Sequence, residues 1–201
     1  MRTFRILLWA LVALAVVGAA ALFLSHRNPP QSGQTPLSTS SSVTFGGPFT
    51  LVGADGQPFS SAKLAGKPYA IFFGFTHCPD VCPTTLARMA KLRSQLNAGE
   101  RPFEILFVTV DPERDTPAEV GKYAALFNTP ITGLTGSPAA VEQVKKQFGI
   151  YSKKVPDGQG GYSVDHTSTV LLFDKNGGFS GTVSPEEADS MALAKLKRIS
   201  A

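Results

Sequence analysis

The chain has 201 residues, a formal net charge of +4, 43% hydrophobic residues, two cysteines and three histidines. That length suits one globular domain with appendages, and two cysteines exclude both a disulfide-dense scaffold and a four-cysteine zinc module. Arg2, Arg5 and Arg27 flank an apolar N-terminal run, leaving 16 basic residues against 15 acidic ones without a Lys/Arg cluster, so nucleic acid is excluded as a partner.

From Ile6 to Leu24 every residue is apolar or Gly. At about 1.5 Å per residue the run reaches roughly 28 Å, close to the hydrocarbon thickness of a bilayer. Arg2 and Arg5 precede it, which under the positive-inside bias sends the rest of the chain across. Ala19-Ala20-Ala21 would suit a signal peptidase, but the run continues through Leu22-Phe23-Leu24, beyond an ordinary signal h-region. Residues 1–27 are therefore expected to be an uncleaved anchor with a single transmembrane helix. The short stretch ahead of the span points to a bacterial inner membrane, with the soluble part facing the periplasm. Residues 28–42, rich in Pro, Ser, Thr, Gln and Gly, read as a flexible linker, and residues 43–201 as the folded domain.

Within that domain, Phe49–Val52 and Gln57-Pro58-Phe59 flank Asp55-Gly56, the signature of a short hairpin. Tyr69–Phe75 (YAIFFGF) is a continuous apolar run, as in a strand covered on both faces. Thr84–Leu96 carries helical spacing, and Phe103–Val110 is a second buried strand. Thr116-Pro117-Ala118-Glu119 is a capping box opening a helix to about Phe127, and Ser137-Pro138 opens another to Phe148. Thr167–Phe173 and Gly178–Val183 flank a D-K-N-G turn, and Ser184-Pro185-Glu186-Glu187 reads as a capping box for the terminal helix. This order predicts an α/β domain: a thioredoxin-like mixed sheet with flanking helices, preceded by an N-terminal β-hairpin.

Cys78 and Cys82 follow directly after the YAIFFGF strand, in GFTHCPDVCPTTL. If residues 78–82 are helical, a spacing of four puts both thiols on one face, and the helix N-terminus is expected to acidify both. A structural disulfide there would close a ring contributing only about 2 kcal/mol, against over 4 for a bridge closing a long loop. Two chemistries remain, soft-metal binding and thiol–disulfide redox. Two thiolates suit Cu(I), but a third ligand is needed. His26 lies in the juxtamembrane segment, and strand alternation turns His77 away from Cys78. His166, in VDHTSTVLLFD, falls in the loop expected beside the start of the cysteine helix. Cys78, Cys82 and His166 thus form the candidate copper ligand set, suited to Cu(I) or, with an added ligand, Cu(II).

GFTHCPDVCPTTL, VTVDPERDTP and DHTSTVLLFD together resemble the Sco/SenC family of copper-binding assembly proteins, over about residues 43–201 and including the anchor. The resemblance implies a membrane-tethered, thioredoxin-like domain holding one copper ion on Cys78, Cys82 and His166. It also implies delivery of copper to the dinuclear centre of cytochrome c oxidase subunit II, or reduction of that subunit's cysteines, alongside other copper chaperones. Asp111 and Asp115, in DPERD, are hard donors and are not assigned as ligands. They either tune the site or dock a cationic partner, or else Asp111 caps a turn while Asp115 and Arg114 are solvated.

The leading expectation is a membrane-anchored copper chaperone. The alternative is a thiol–disulfide oxidoreductase in which Cys78 attacks and Cys82 resolves, although redox relatives of this fold use C-x-x-C. A thiol peroxidase, suggested by Thr76 and Pro79 near Cys78, lacks an Arg placed to activate peroxide.

Overall fold

The computed structural model describes residues 17–18, 45–96, 101–158 and 160–201. The anchor expected at residues 1–27 and the linker at 28–42 lie outside the described residues, Val17 and Gly18 excepted. Among the described residues no helix is long and apolar enough to cross a membrane. The strands and helices that build the site belong to the compact unit Val43–Ala201.

The first hairpin forms as expected: β1 (Thr50–Gly53) pairs antiparallel with β2 (Pro58–Ser60), with Leu51 opposite Phe59. Its turn closes through the Gly53 N–H on the Gln57 carbonyl, with Gly56 at a φ of 75°. β3 (Tyr69–Gly74) is buried at every position, and β4 (Glu104–Thr109) lies parallel beside it, joined through α1 (Val81–Leu96). Such all-apolar strands are stable only where both faces are covered. On one face of β3, Phe72 and Gly74 meet Cys82 and Phe107, while on the other Phe73 packs on Phe148.

α2 (Pro117–Ala125) begins where the capping box places it, Thr116 accepting the Glu119 N–H, and α3 (Pro138–Gln147) is capped likewise by Ser137. Between them, β5 (Thr132–Thr135) runs parallel to β4 and antiparallel to β1. β8 (Val170–Phe173) and β9 (Phe179–Val183) complete a seven-stranded mixed sheet in the order β2-β1-β5-β4-β3-β8-β9. β8 starts three residues later than the sequence pattern suggests. A separate two-stranded sheet, β6 (Ser152–Pro156) with β7 (Tyr162–His166), is not apparent in that pattern.

The terminal helix α4 (Asp189–Ile199) corrects the expectation at 184–187. Ser184–Glu187 forms a turn instead, with Glu187 accepting the Ser184 N–H, and the helix starts beyond Ala188. Arg88 on α1 explains the delay, because its guanidinium takes the carbonyls of Ser184 and Glu187 and the Asp189 carboxylate. Those carbonyls are pulled towards Arg88 rather than along a helix axis.

Candidate metal centre

The site lies at the carboxyl ends of β3 and β4, a position where open α/β sheets concentrate ligand sites. β3 ends at Gly74, and residues 75–80 turn before α1 begins at Val81. Cys78 is therefore in the turn and not on the helix, which corrects the expectation of two thiols on one helical face. Cys82, in the first helical turn, is fully buried, whereas Cys78 is half-buried. The Cys82 N–H points at the Cys78 Sγ, 3.5 Å away. Pro83 follows without disrupting the helix, since a first-turn N–H has no intrahelical acceptor in any case.

His166 ends β7 and reaches the same place across 84 positions of chain: its Nε2 lies 3.4 Å from the Cys82 Sγ. Phe72 and Phe75 hold the ring edge-on, with centroids at 6.0 and 5.7 Å. The Nδ1 lies 2.9 Å from the Thr167 carbonyl, which can only accept, so in the neutral ring the proton sits on Nδ1. The Nε2 lone pair consequently faces the cysteine sulfur. A carbonyl that fixes the tautomer of a histidine in this way is a recurrent feature of metal sites. One donor atom each from Cys78, Cys82 and His166 lie within 4.8 Å of one another. Metal–ligand bonds of about 2.0–2.3 Å place three donors roughly 3.5–4 Å apart, so small adjustments bring these atoms to a shared ion.

The electrostatics differ from the expectation of two acidified thiols. Burial drives the Cys82 thiol well above the usual range, outweighing the hydrogen bond it makes at Phe75. Burial also holds the His166 imidazole below its ordinary value, despite the Thr167 carbonyl. Burial thus disfavours charge on both Cys82 and the partly buried His166, and binding a soft cation there displaces the Cys82 proton.

Asp115, solvated in one of the alternatives the sequence allows, is wholly buried. Its carboxylate accepts the Thr76 N–H at 2.9 Å, the Thr76 hydroxyl at 2.6 Å and the Thr109 hydroxyl at 2.6 Å. It therefore fixes the turn leading to Cys78. Asp111 is buried too, bonded to Arg114 and to the Tyr162 hydroxyl. Neither aspartate belongs to the donor cluster. His77 is exposed, with its Nδ1 3.1 Å from the Thr76 hydroxyl oxygen and 3.5 Å from Asp115, and stands apart from the cluster as expected. Sequence reasoning misses the roles of Thr76, Thr109 and Tyr162. An apolar strand ending at an acidic, turn-forming DPERD is the available signal for a buried carboxylate network.

The SCO1/SenC family model matches residues 38–201. The chain belongs to the SCO1/SenC family. It is 38% identical over 165 residues to an SCO2-like protein of Rickettsia conorii, covering 80% of each chain. The structure of ScoI from Bradyrhizobium japonicum with copper bound is similar at 39% identity and a TM-score of 0.70, covering 77% of this chain and 99% of that one. BsSco, a member of the Sco family of cytochrome c oxidase assembly proteins in which a disulfide switch has been identified, matches at 28% identity and a TM-score of 0.63, covering 78% of this chain and 94% of that one. The mixed α/β, thioredoxin-like Sco architecture is thus common to this chain and its structural neighbours.

Proposed function

We propose that this domain carries one copper ion on Cys78 Sγ, Cys82 Sγ and His166 Nε2 and hands it to a second protein. The convergence of two thiols and one correctly tautomerised imidazole carries the reading. Two sulfurs and one nitrogen make a soft donor set, favourable for Cu(I) and open to Cu(II) when a further ligand is added. The copper-bound relative from Bradyrhizobium supports the choice of metal.

Transfer follows from the unequal exposure of the donors. Cys78 and His166 line a shallow depression of about 280 Å³ with Phe75, Val81 and Asp165, whereas Cys82 is buried behind them. An incoming thiolate displaces Cys78 or His166 first, and Cys82 releases the ion last as it recovers its proton. The acceptor is the dinuclear copper centre of cytochrome c oxidase subunit II, with other copper chaperones as donors; the place of BsSco among the assembly proteins of that oxidase supports this. Residues 6–24 tether the domain to a bacterial inner membrane, with the site facing the periplasm.

Anaerobic titration of the reduced protein tests the reading. Wild type takes up one copper ion, and His166→Ala, Cys78→Ser and Cys82→Ser each change its spectrum and lower affinity at least tenfold. Absence of stoichiometric uptake, or unaltered affinity in His166→Ala, overturns it.

A second reading is favoured by the Cys82 N–H donating to the Cys78 sulfur, which holds the more exposed cysteine beside its buried partner. Cys78 then attacks a substrate disulfide, and Cys82 resolves the mixed disulfide, leaving Cys78–Cys82 oxidised and two substrate thiols. Turnover abolished by Cys78→Ser yet indifferent to His166→Ala identifies that activity.

A further inference from the structure

We propose that Arg114, Asp111 and Tyr162 form a clasp that sets the position of His166 by fastening the β6–β7 hairpin to the loop after β4. This deepens the proposed copper site and rests on that reading for its metal-loaded consequence.

The hairpin is the separable part of the site. Among the described residues no strand ladder joins β6 or β7 to the seven-stranded sheet. An isolated two-stranded hairpin is marginal in water, so its place depends on what its side chains grip. Strand alternation puts Tyr162, Val164 and His166 on one face of β7. Val164 is buried in the core and His166 lies against Cys82, which leaves Tyr162 to hold the far end of the strand.

Tyr162 is held three ways. Its hydroxyl donates to the buried Asp111 carboxylate at 2.9 Å. Its carbonyl accepts from Arg114 Nη1 at 3.0 Å, and its ring lies under the Arg114 guanidinium, 3.8 Å from carbon to centroid. Arg114 is fixed in turn by its Nε on Asp111. On the strand paired with β7, Lys154 lies 4.6 Å from the same ring and bonds Glu113, on the Asp111–Arg114 loop, at 2.6 Å. The loop that secures the cysteine turn through Asp115 therefore also secures the histidine strand through Asp111 and Arg114. Both halves of the site are referred to one hydrogen-bonded turn, Asp111–Asp115, and the cysteine–histidine distance follows from it. Arg114, Asp111 and Tyr162 are positioning residues, since none touches the donor cluster.

The test compares full-length wild type with Tyr162→Phe, which removes one hydroxyl, and Arg114→Lys, which keeps the charge but loses the planar fork. In the metal-free, reduced protein, amide hydrogen exchange across Ser152–His166 rises at least tenfold in both variants while β3 and β4 keep their protection. After copper loading, the two variants shift their Cu(II) spectra towards that of His166→Ala and bind about tenfold more weakly, with one ion still bound. Unaltered hairpin exchange, or equal acceleration across β3 and β4, overturns the clasp. Faster hairpin exchange with a wild-type copper spectrum overturns its link to His166. If wild type itself takes up no copper, the copper reading fails, and the exchange measurement still decides the clasp.

Discussion

Gly74 is the last residue of β3 and the point where the sheet makes room for sulfur. A Cβ placed there would sit 2.8 Å from the Cys82 Sγ, 3.0 Å from Phe72 and 3.1 Å from Phe107. All three neighbours are buried and confined between β3, α1 and β4, so the added methyl cannot be accommodated by a side chain swinging into solvent. Overpacking of this kind costs about 1–3 kcal/mol. Gly74→Ala is accordingly expected to lower the denaturation midpoint and also to displace the Cys82 sulfur, weakening copper binding. Titration and chemical denaturation of the same variant check both effects. Copper affinity equal to wild type would show that the donor does not depend on this contact. The glycine stands in the apolar YAIFFGF run, where the sequence marks a strand but not which atom approaches it. His166 is different, because its place ahead of the apolar run of β8 sets it beside the cysteine turn once the strand order is known, although it ends β7 and does not lie in a loop directly before β8.

At the scale of elements, the turn that leads into α4 is held by ionic contacts as well as by backbone ones. Glu187 accepts from Lys195 at 2.9 Å and from the Ser184 N–H at 3.3 Å, while Arg88 draws in the surrounding carbonyls. The hydrogen bond from Lys195 is the leading reason the Glu187 carboxyl is held below its ordinary value, with Arg88 adding to it. A depressed carboxyl favours the folded state above its unfolded pKa, and that contribution disappears as pH falls through the folded pKa. Glu187→Gln is thus expected to be about 1 kcal/mol less stable than wild type at pH 7. The two proteins should converge as acid titrates the carboxylate, below about pH 4. Thermal melts from pH 7 to 3 check this, and a gap that persists unchanged into acid would assign the effect to packing instead. The elements legible in sequence are those with an apolar run or a cap: β3, β4, α2 and α3. β5, four residues with a central glycine, carries too little pattern. β6 and β7 are hidden because Lys153, Lys154 and Asp165 face solvent and only Val164 is deeply buried, although Asp157-Gly158 offers a turn signal. The start of α4 is misplaced by its capping motif because Arg88, a hundred residues upstream, competes for the carbonyls of the turn.

For the whole molecule, the decisive property is that the donors converge only when the chain is folded. The thioredoxin-like order is readable from the succession of strands and helices. The buried state of Cys82 is not, because the helix-terminus argument counts the dipole and omits the dehydration that the core imposes. A site assembled from a turn after β3 and the end of β7, held together through the loop after β4, has no counterpart in the unfolded chain beyond two neighbouring thiols. Copper should therefore stabilise the folded state by mass action, by about 2.7 kcal/mol at a free concentration 100 times Kd, less whatever the unfolded dithiol retains. For a domain of this size that corresponds to an increase in Tm of about 5–10 °C. Calorimetry of reduced protein, with and without copper and after addition of a chelator, checks the magnitude and its reversal. His166→Ala is expected to give a smaller shift, since the two thiols that remain are close together in the unfolded chain as well. An equal shift in His166→Ala and wild type would mean that the imidazole adds nothing to folded-state binding, and that the three-donor centre is not the form in which the ion is held.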